Sequence, residues 1–392
     1  MADAQAALAE APRSEMVAKG SGGRDLRLDV FRGLALITIY VNHVPGTIFE
    51  NFTSRNFGFS DAAEGFVLMA GIAAGLAYGP DLISDRFWRG LRRSWARAWT
   101  LYSVHIVTTA MALGIAAFAA RNGVPRMIEI NNVAQLFDDQ IGVLIGIPTL
   151  GHQLGYFNIL PLYVTLLLAT PLLVRVGHLS PLGLLAGSVA LWFVAGLLRL
   201  NLPAYPNPGG WFFNPFAWQI LFVVGLLTGL ALKRGERFVP VRPWLVWTCA
   251  GFLLAVLVWR LVPPVAQAGR EGLRALFELG VPFNVVSFDK TFVAVPRLLH
   301  ALALLYLVSA IPAVRRAVAG AWARPIALMG RQALPVFASG SVLCVAAQAI
   351  LNGSGGDPLV GAWVIAGGLA IQLGMAWAFE TLSAKRKPAP AA

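Results

Sequence analysis

Two ionisable side chains with complementary chemistry lie on the first apolar segment of the chain. Arg32 and His43 stand in the stretch LDVFRGLALITIYVNHV, eleven residues apart. Eleven residues of α-helix turn to within about 20° of three full turns and rise about 16 Å, so both side chains project from one face. A guanidinium holds phosphates or carboxylates, and an imidazole accepts a proton near neutral pH. The spacing therefore predicts an anion site and a proton-transfer site at two depths of one helix.

Acidic side chains stand near each of these groups. Asp29 precedes Arg32 by three residues, which is the spacing of an ion pair on a helix. Asp61 and Glu64 open the next apolar segment, FSDAAEGFVLMAGIAAG, and share one helical face. This segment returns from the far side of the membrane and brings them to the depth of His43. We expect Glu64 or Asp61 to orient the His43 imidazole and to raise its basicity.

Two further histidines fall within later apolar segments. His105 lies about a third of the way along its segment, and His300 follows Arg297 by about one turn, with Asp289 and Lys290 just upstream. Ionisable groups inside a membrane are costly, which makes each a candidate for function. We predict that His105, Arg297 and His300 contact substrate, as do Arg32 and Asp29. Interhelical hydrogen bonding is the structural alternative for the histidines.

An aromatic loop at 201–215 combines turn-forming residues with large rings in the sequence NLPAYPNPGGWFFNP. Such rings can stack on sugars, which would make Trp211 a substrate-binding residue. Aromatic rings are also typical of the interface between membrane and water. The sequence leaves both interpretations of this loop open.

The composition places these residues in a membrane protein. Hydrophobic residues make up 57% of the chain and charged residues 13%, about half of the roughly 25% usual in soluble domains. Ten segments are long and apolar enough to cross a bilayer. They cover residues 29–48, 60–80, 98–120, 155–175, 180–198, 214–232, 243–262, 293–312, 332–352 and 359–380. The sequence therefore predicts an all-α, polytopic bundle of about ten transmembrane helices. The shorter apolar stretch 141–150 is expected to be re-entrant or interfacial.

The distribution of the 31 Lys and Arg residues predicts the orientation. About two thirds of them lie in the two tails and in the loops on the same side, which predicts cytoplasmic termini. We expect 1–23 to be a disordered cytoplasmic tail, 24–382 a single transmembrane domain and 383–392 a second cytoplasmic tail. The densest basic loop, Arg86 to Arg97, fits either orientation charge or an anion-binding surface.

The charge and the cysteine content argue against nucleic-acid binding and against a metal site. The net charge of +12 follows from the orientation bias and gives no separate sign of nucleic-acid binding. The two cysteines, Cys249 and Cys344, stand in apolar segments and lack the Cys/His spacing of a metal site. We therefore predict neither a nucleic-acid partner nor a bound metal.

Several longer stretches resemble known membrane enzymes. RDLRLDVFRGLALITIYVNH (24–43) resembles the opening of multi-spanning membrane acyltransferases, whose hallmark is an Arg, ten residues and a His. Over roughly 24–380 the chain resembles the OpgC family, the osmoregulated periplasmic glucan acyltransferases. That resemblance is carried by NFGFSDAAEGFVLMAGIAAGLAYG, NILPLYV, WFFNPFAWQILFVVG and DKTFVAVPRLLHALAL.

The resemblance implies ten spans, cytoplasmic termini and a place in the bacterial inner membrane, with membrane lipid around the bundle. It also implies transfer of a succinyl group from a cytoplasmic acyl-CoA, here succinyl-CoA, to a hydroxyl of a periplasmic glucan. The positions that match the family are Arg32, His43, Asp61, Glu64, Arg297 and His300.

From these residues we predict general-base catalysis. A sugar hydroxyl is a poor nucleophile near neutral pH, and His43 would take its proton as it attacks the acyl carbonyl. Arg32 would hold a phosphate or a carboxylate of the donor. A covalent acyl-His step is an open alternative. So are a secondary transporter and a polysaccharide-export scaffold without chemistry, although transporters usually show two similar halves, which we do not find.

Overall fold

Helices account for the architecture of residues 26–385, the part of the chain that this computed structural model describes. The predicted tail 1–23 and residues 386–392 of the predicted tail 383–392 lie outside the described residues, whereas 383–385 belong to the last helix. The helices are α1 (Leu26–Asn42), α2 (Ala62–Leu82), α3 (Phe87–Arg121), α4 (Arg126–Glu129), α5 (Gln135–Asp138), α6 (Gln140–Gly146), α7 (Ile159–Leu179), α8 (Pro181–Leu198), α9 (Pro215–Lys233), α10 (Pro243–Leu261), α11 (Pro263–Glu278), α12 (Phe283–Val286), α13 (Val295–Ala310), α14 (Pro312–Val318), α15 (Ala323–Arg331), α16 (Ala333–Gly353) and α17 (Pro358–Lys385). The described residues contain no β-strand, which confirms the all-α prediction.

Eight of these helices are long and apolar enough to cross a membrane, namely α2, α3, α7, α8, α9, α10, α16 and α17. A ninth span results if α13 and α14, which meet at 77°, count as one. Helix α1 has 17 residues, about 26 Å of helix, and is therefore slightly shorter than a roughly 30 Å hydrocarbon core. Each of the ten predicted segments coincides with one of these helices. The stretch 141–150 forms only the short α6 and a following turn, too short to span.

Helices α2 and α9 pack with their backbones in close approach. A Cβ atom on Gly71 would overlap the carbonyl oxygen of Phe222, and a Cβ on Gly225 would overlap that of Leu68. Small residues are the usual means by which membrane helices approach this closely. The small-residue run that begins at Ala70 therefore holds α2 against the centre of the bundle, where α9 is mostly buried.

Helix α15 packs against the beginning of α1 in the same way. A Cβ on Gly330 would overlap the carbonyl oxygen of Asp29, one turn before Gly33. This contact brings Arg331, the last residue of α15, near Arg32 on α1. The packing of α15 on α1 therefore places two arginine side chains close together at one end of the bundle.

The bundle has two chemically different ends. We call the end that carries Arg86 to Arg97 and Arg331 the basic end. The opposite end carries the end of α1, the start of α2 and the loop 201–214. A short antiparallel bridge between Pro203 and Gly210 shapes that loop.

Candidate active site

A reciprocal cap fixes the start of α2. Asp61 precedes the helix, and its carboxylate accepts a hydrogen bond from the backbone N–H of Ala63 at 2.9 Å. The Glu64 carboxylate turns back and accepts one from the N–H of Asp61 at 3.0 Å. An acidic residue followed three positions later by Glu is the sequence signature of this cap. The cap sets both carboxylates at the opposite end.

Two cations neutralise these carboxylates. The Nε of Arg297 donates to Glu64 at 2.8 Å, and its Nη2 donates to Asp61 at 3.3 Å. The ammonium of Lys290 donates to the same oxygen of Asp61. Glu64 is fully buried, where an unpaired charge would be strongly destabilising. We call Asp61, Glu64, Lys290 and Arg297 the carboxylate cluster. Our site prediction omitted Lys290, although it stands close before Arg297 in the sequence.

His300 lies beside this cluster and binds the loop that leads into α2. Its Nδ1 is 2.7 Å from the hydroxyl of Ser60 and accepts a hydrogen bond from the Ser60 N–H at 3.3 Å. The imidazole also fills the space beside Gly58, where a Cβ would overlap the ring. These contacts hold the loop in place, and substrate contact by His300 stays a prediction.

His43 immediately follows the last residue of α1. Its ring lies against Tyr156 with 4.2 Å between centroids, and its carbonyl oxygen accepts from the amide of Gln348 at 2.6 Å. Among the described residues, the imidazole has no hydrogen-bond partner. The expected contact with Glu64 or Asp61 is not formed, because Lys290 and Arg297 occupy those carboxylates. Asp61 and Lys290 nevertheless lie within electrostatic range of His43.

A small cavity adjoins His43. Its volume is about 10 Å³, room for about one water molecule. It is lined by Leu36, Ile39, Tyr40, His43, Phe337, Gly340, Ser341 and Gln372. The imidazole therefore borders an internal space and is not turned toward lipid.

A larger cavity of about 400 Å³ opens at the basic end. Arg32, Arg97 and Arg331 line it together with the phenol rings of Tyr78 and Tyr163, and its remaining walls are mostly apolar. The predicted pairing of Arg32 with Asp29 is confirmed at 3.8 Å. This cavity combines cations at its mouth with an apolar interior, which suits an amphiphilic anion.

Stacked aromatic rings separate the two cavities. Phe337 lines both of them, and the ring of Phe66 stacks on it with 6.3 Å between centroids. Phe66 also stacks on Tyr163 at 5.8 Å. We call Phe66, Tyr163 and Phe337 the aromatic partition. Arg32 on α1 thus lies on one side of the aromatic partition, and His43, directly after α1, lies on the other.

Most of the basic loop is engaged with a single carboxylate. Asp81 is buried and accepts hydrogen bonds from Arg89 at 2.6 Å and Arg93 at 2.8 Å, with Arg86 at 3.4 Å. Arg97, one turn after Arg93, lines the large cavity instead. The orientation-charge interpretation therefore fits most of this loop, and Arg97 is the member placed to meet a ligand.

Two predicted substrate-binding residues are buried away from both cavities. His105 is 0% exposed on α3, one turn beyond the cavity-lining Leu101, and neither ring nitrogen has a hydrogen-bond partner among the described residues. Trp211 is 5% exposed and packs in the main hydrophobic core. Neither side chain lines either of the two cavities described above, and substrate contact by His105 and Trp211 stays a prediction.

Comparison with known proteins gives one match. The family model described as OpgC protein matches residues 24–384, nearly the whole chain. No curated protein and no solved structure matches significantly. Within residues 26–385, no group of three or more His, Cys, Asp or Glu side chains is arranged to hold a metal ion.

Proposed function

Because the chain belongs to the OpgC family, we propose that it is a membrane-embedded O-acyltransferase acting on a periplasmic glucan or related envelope polysaccharide. The donor is a cytoplasmic acyl-CoA, and the acyl group is succinyl, as the family resemblance implies. In this proposal the protein lies in the bacterial inner membrane with its basic end and both termini in the cytoplasm. One observation carries it: Arg32 on α1 and His43 directly after α1 line two cavities that meet at the aromatic partition.

The large cavity receives the donor. Coenzyme A has a polyanionic head and a long, mainly uncharged arm, which matches cations at the mouth and apolar walls within. Arg32, Arg97 and Arg331 hold its phosphates through charge-assisted hydrogen bonds. The roughly 16 Å between the positions of Arg32 and His43 along α1 lets the arm carry the thioester past Phe337 to the imidazole.

His43 acts as the general base. It takes the proton of a glucan hydroxyl while the hydroxyl oxygen attacks the thioester carbonyl carbon. The carbon–sulfur bond then breaks, and the leaving coenzyme A thiolate takes that proton from the imidazolium. The products are a glucan ester and free coenzyme A. The absence of a hydrogen-bond partner for the imidazole among the described residues leaves its nitrogens available to substrate.

The carboxylate cluster supports this chemistry from the acceptor side. Asp61 acts on His43 through its charge and not through a hydrogen bond. Its negative charge favours the imidazolium that forms during transfer, and the positive charge of Lys290 opposes this effect. Glu64 and Arg297 hold Asp61 in place from the buried side. The roles of Asp61 and Glu64 are thus positioning and electrostatic.

Acyl transfer by the purified protein in lipid nanodiscs tests the proposal. His43→Ala is expected to abolish formation of glucan ester and release of coenzyme A thiol, with unchanged thermal unfolding and insertion. His178→Ala is the matched control, because His178 is exposed at the end of α7 away from both cavities. Full activity of His43→Ala would refute the assigned role.

Mass spectrometry of the cells' own glucans tests the substrates. Periplasmic glucans from cells with the gene are expected to be heavier by one succinyl group per modified hydroxyl than those from cells without it. A mass difference of another size would support acyl transfer but show that the acyl group is not succinyl. Identical glucan masses would contradict the acceptor.

A further inference from the structure

The aromatic loop at 201–215 has two buried and two exposed aromatic side chains. Trp211 and Phe213 are 5% and 8% exposed, whereas Phe212 and Tyr205 are 45% and 47% exposed. Phe212 lies in a bend and is exposed between two buried neighbours. The loop therefore offers Phe212, and not Trp211, to whatever lies at this end.

Phe212 rests on a rigid support. Its ring packs edge-on against Phe213 with 5.0 Å between centroids, and Phe213 packs edge-on against the fully buried Trp218 at 4.7 Å. The indole N–H of Trp218 donates to the carbonyl oxygen of Lys290 at 3.0 Å. An exposed ring held in this way loses little conformational entropy when a ligand packs on it.

The same ring adjoins the carboxylate cluster. The ammonium of Lys290 lies 5.8 Å from the centre of the Phe212 ring and donates to Asp61. Lys290 and Asp61 are also the groups within electrostatic range of His43. The exposed ring therefore adjoins two charged groups that act electrostatically on the proposed general base.

We propose that Phe212 is the platform on which a sugar ring of the glucan acceptor packs, with Lys290 donating to its hydroxyls. This inference rests on the proposed function and names the acceptor subsite of that same site. The face of a pyranose presents C–H groups, which pack on the electron-rich face of an aromatic ring. The Lys290 ammonium has three N–H groups, of which Asp61 takes one. The remaining N–H groups can reach sugar hydroxyls beside the ring.

The position of Phe212 favours a sugar over a lipid. A ring of the interfacial belt sits among lipid headgroups, whereas Phe212 borders a paired ammonium and carboxylate at the site. Tyr205, equally exposed in the same loop, packs instead near Gly146 and Gly151 beside α6. Tyr205 is therefore a matched control, because it is as exposed as Phe212 and lies in the same loop but does not adjoin the carboxylate cluster.

Kinetics of three variants in nanodiscs test the platform. Phe212→Ala is expected to raise KM for the glucan about tenfold, with KM for the acyl-CoA unchanged. Phe212→Tyr restores an aromatic face and is expected to restore KM for the glucan. Tyr205→Ala is expected to leave both KM values within about twofold of wild type. An unchanged KM for the glucan in Phe212→Ala, or an equal rise in Tyr205→Ala, overturns the inference.

Direct binding of the glucan separates this inference from the proposed function. Isothermal titration of the unmodified glucan into wild-type nanodiscs needs no turnover. Binding by wild type that is weakened in Phe212→Ala supports the platform even if no acyl transfer is detected, and in that case the proposed function fails alone. Acyl transfer with equal glucan affinity in wild type and Phe212→Ala overturns the platform and leaves the function intact.

Discussion

At the residue scale, the charges at the opposite end are largely balanced against one another. Asp61 and Glu64 face Lys290 and Arg297, so the carboxylate cluster carries two charges of each sign. Buried membrane charges need such partners, because an unpaired one costs several kcal/mol. This pairing explains why neither carboxylate bonds to His43. In the proposed mechanism the imidazole transfers the proton, and the cluster provides fixed charges around it.

Arg32, which lines the large cavity, is a donor-binding residue in the proposed function. Arg32→Gln removes a charge-assisted contact to phosphate, a loss of about 1.5–3 kcal/mol, and is expected to raise KM for acyl-CoA roughly ten- to hundredfold. The increase should shrink at high salt, because screening weakens the wild-type contact. Steady-state kinetics in nanodiscs at two salt concentrations would measure both effects.

Arg86→Gln provides the control for that measurement. Arg86 is at the same basic end but pairs with Asp81 and does not line the large cavity. Its removal is expected to leave KM for the donor unchanged. Equal effects of the two substitutions would mean that the basic end attracts the donor through its total charge, and the assignment of Arg32 would then be wrong.

At the element scale, α1 determines the geometry of the site. It carries Arg32 near its beginning and ends just before His43, so one rigid element fixes the separation between anion site and base. Helix α2 supplies the carboxylates and one ring of the aromatic partition. Its position depends on the backbone contact with α9 at Gly71 and Gly225. The site therefore depends on helix packing far from the reacting groups.

That dependence can be measured with two glycines of α2. Gly71→Leu is expected to force α2 and α9 apart and to destabilise the protein by about 3 kcal/mol or more, since its side chain has no space. Gly65→Ala meets no atom within 4 Å and is expected to be neutral or slightly stabilising. Thermal unfolding of the purified variants in detergent gives the comparison. Equal midpoints would show that the close approach is not needed for stability.

At the scale of the whole molecule, two spaces meet inside one membrane bundle. The large cavity opens at the basic end, and the small one adjoins His43 nearer the opposite end, with the aromatic partition between them. In the proposed function, a donor from one side and an acceptor from the other would meet at this partition, where the rings of Phe66 and Phe337 stack on each other.

The orientation of the bundle is open to a labelling experiment. Ser354, in the exposed turn between α16 and α17, marks the opposite end, and Arg92 is exposed at the basic end. In cells with a permeabilised outer membrane, Ser354→Cys is expected to react with a membrane-impermeant maleimide, and Arg92→Cys only after lysis. The protein without either substitution gives the background labelling of the half-buried Cys249. The reverse pattern would place the basic end in the periplasm and contradict the proposed function.

The amino-acid sequence by itself determined the helices, the class of fold and the family. A lipid-crossing helix must satisfy its own backbone and bury about 20 apolar residues, so each span is encoded in a local window that can be identified without tertiary contacts. The predicted shared face of Arg32 and His43 rests on helical periodicity alone, and α1 ends at Asn42, one residue before His43.

Only the tertiary structure decided which groups meet. Arg297 pairs with Glu64, 233 residues away in the sequence, and Lys290 pairs with Asp61, 229 residues away. No local sequence pattern can predict contacts between residues so far apart in the chain. The prediction that a carboxylate would contact His43 was made from depth alone and missed these cations. Trp211 and Phe212 are adjacent in sequence and equally aromatic, yet packing buries one and exposes the other. Burial and charge pairing are properties of the assembled bundle, and they decide which side chains a substrate can reach.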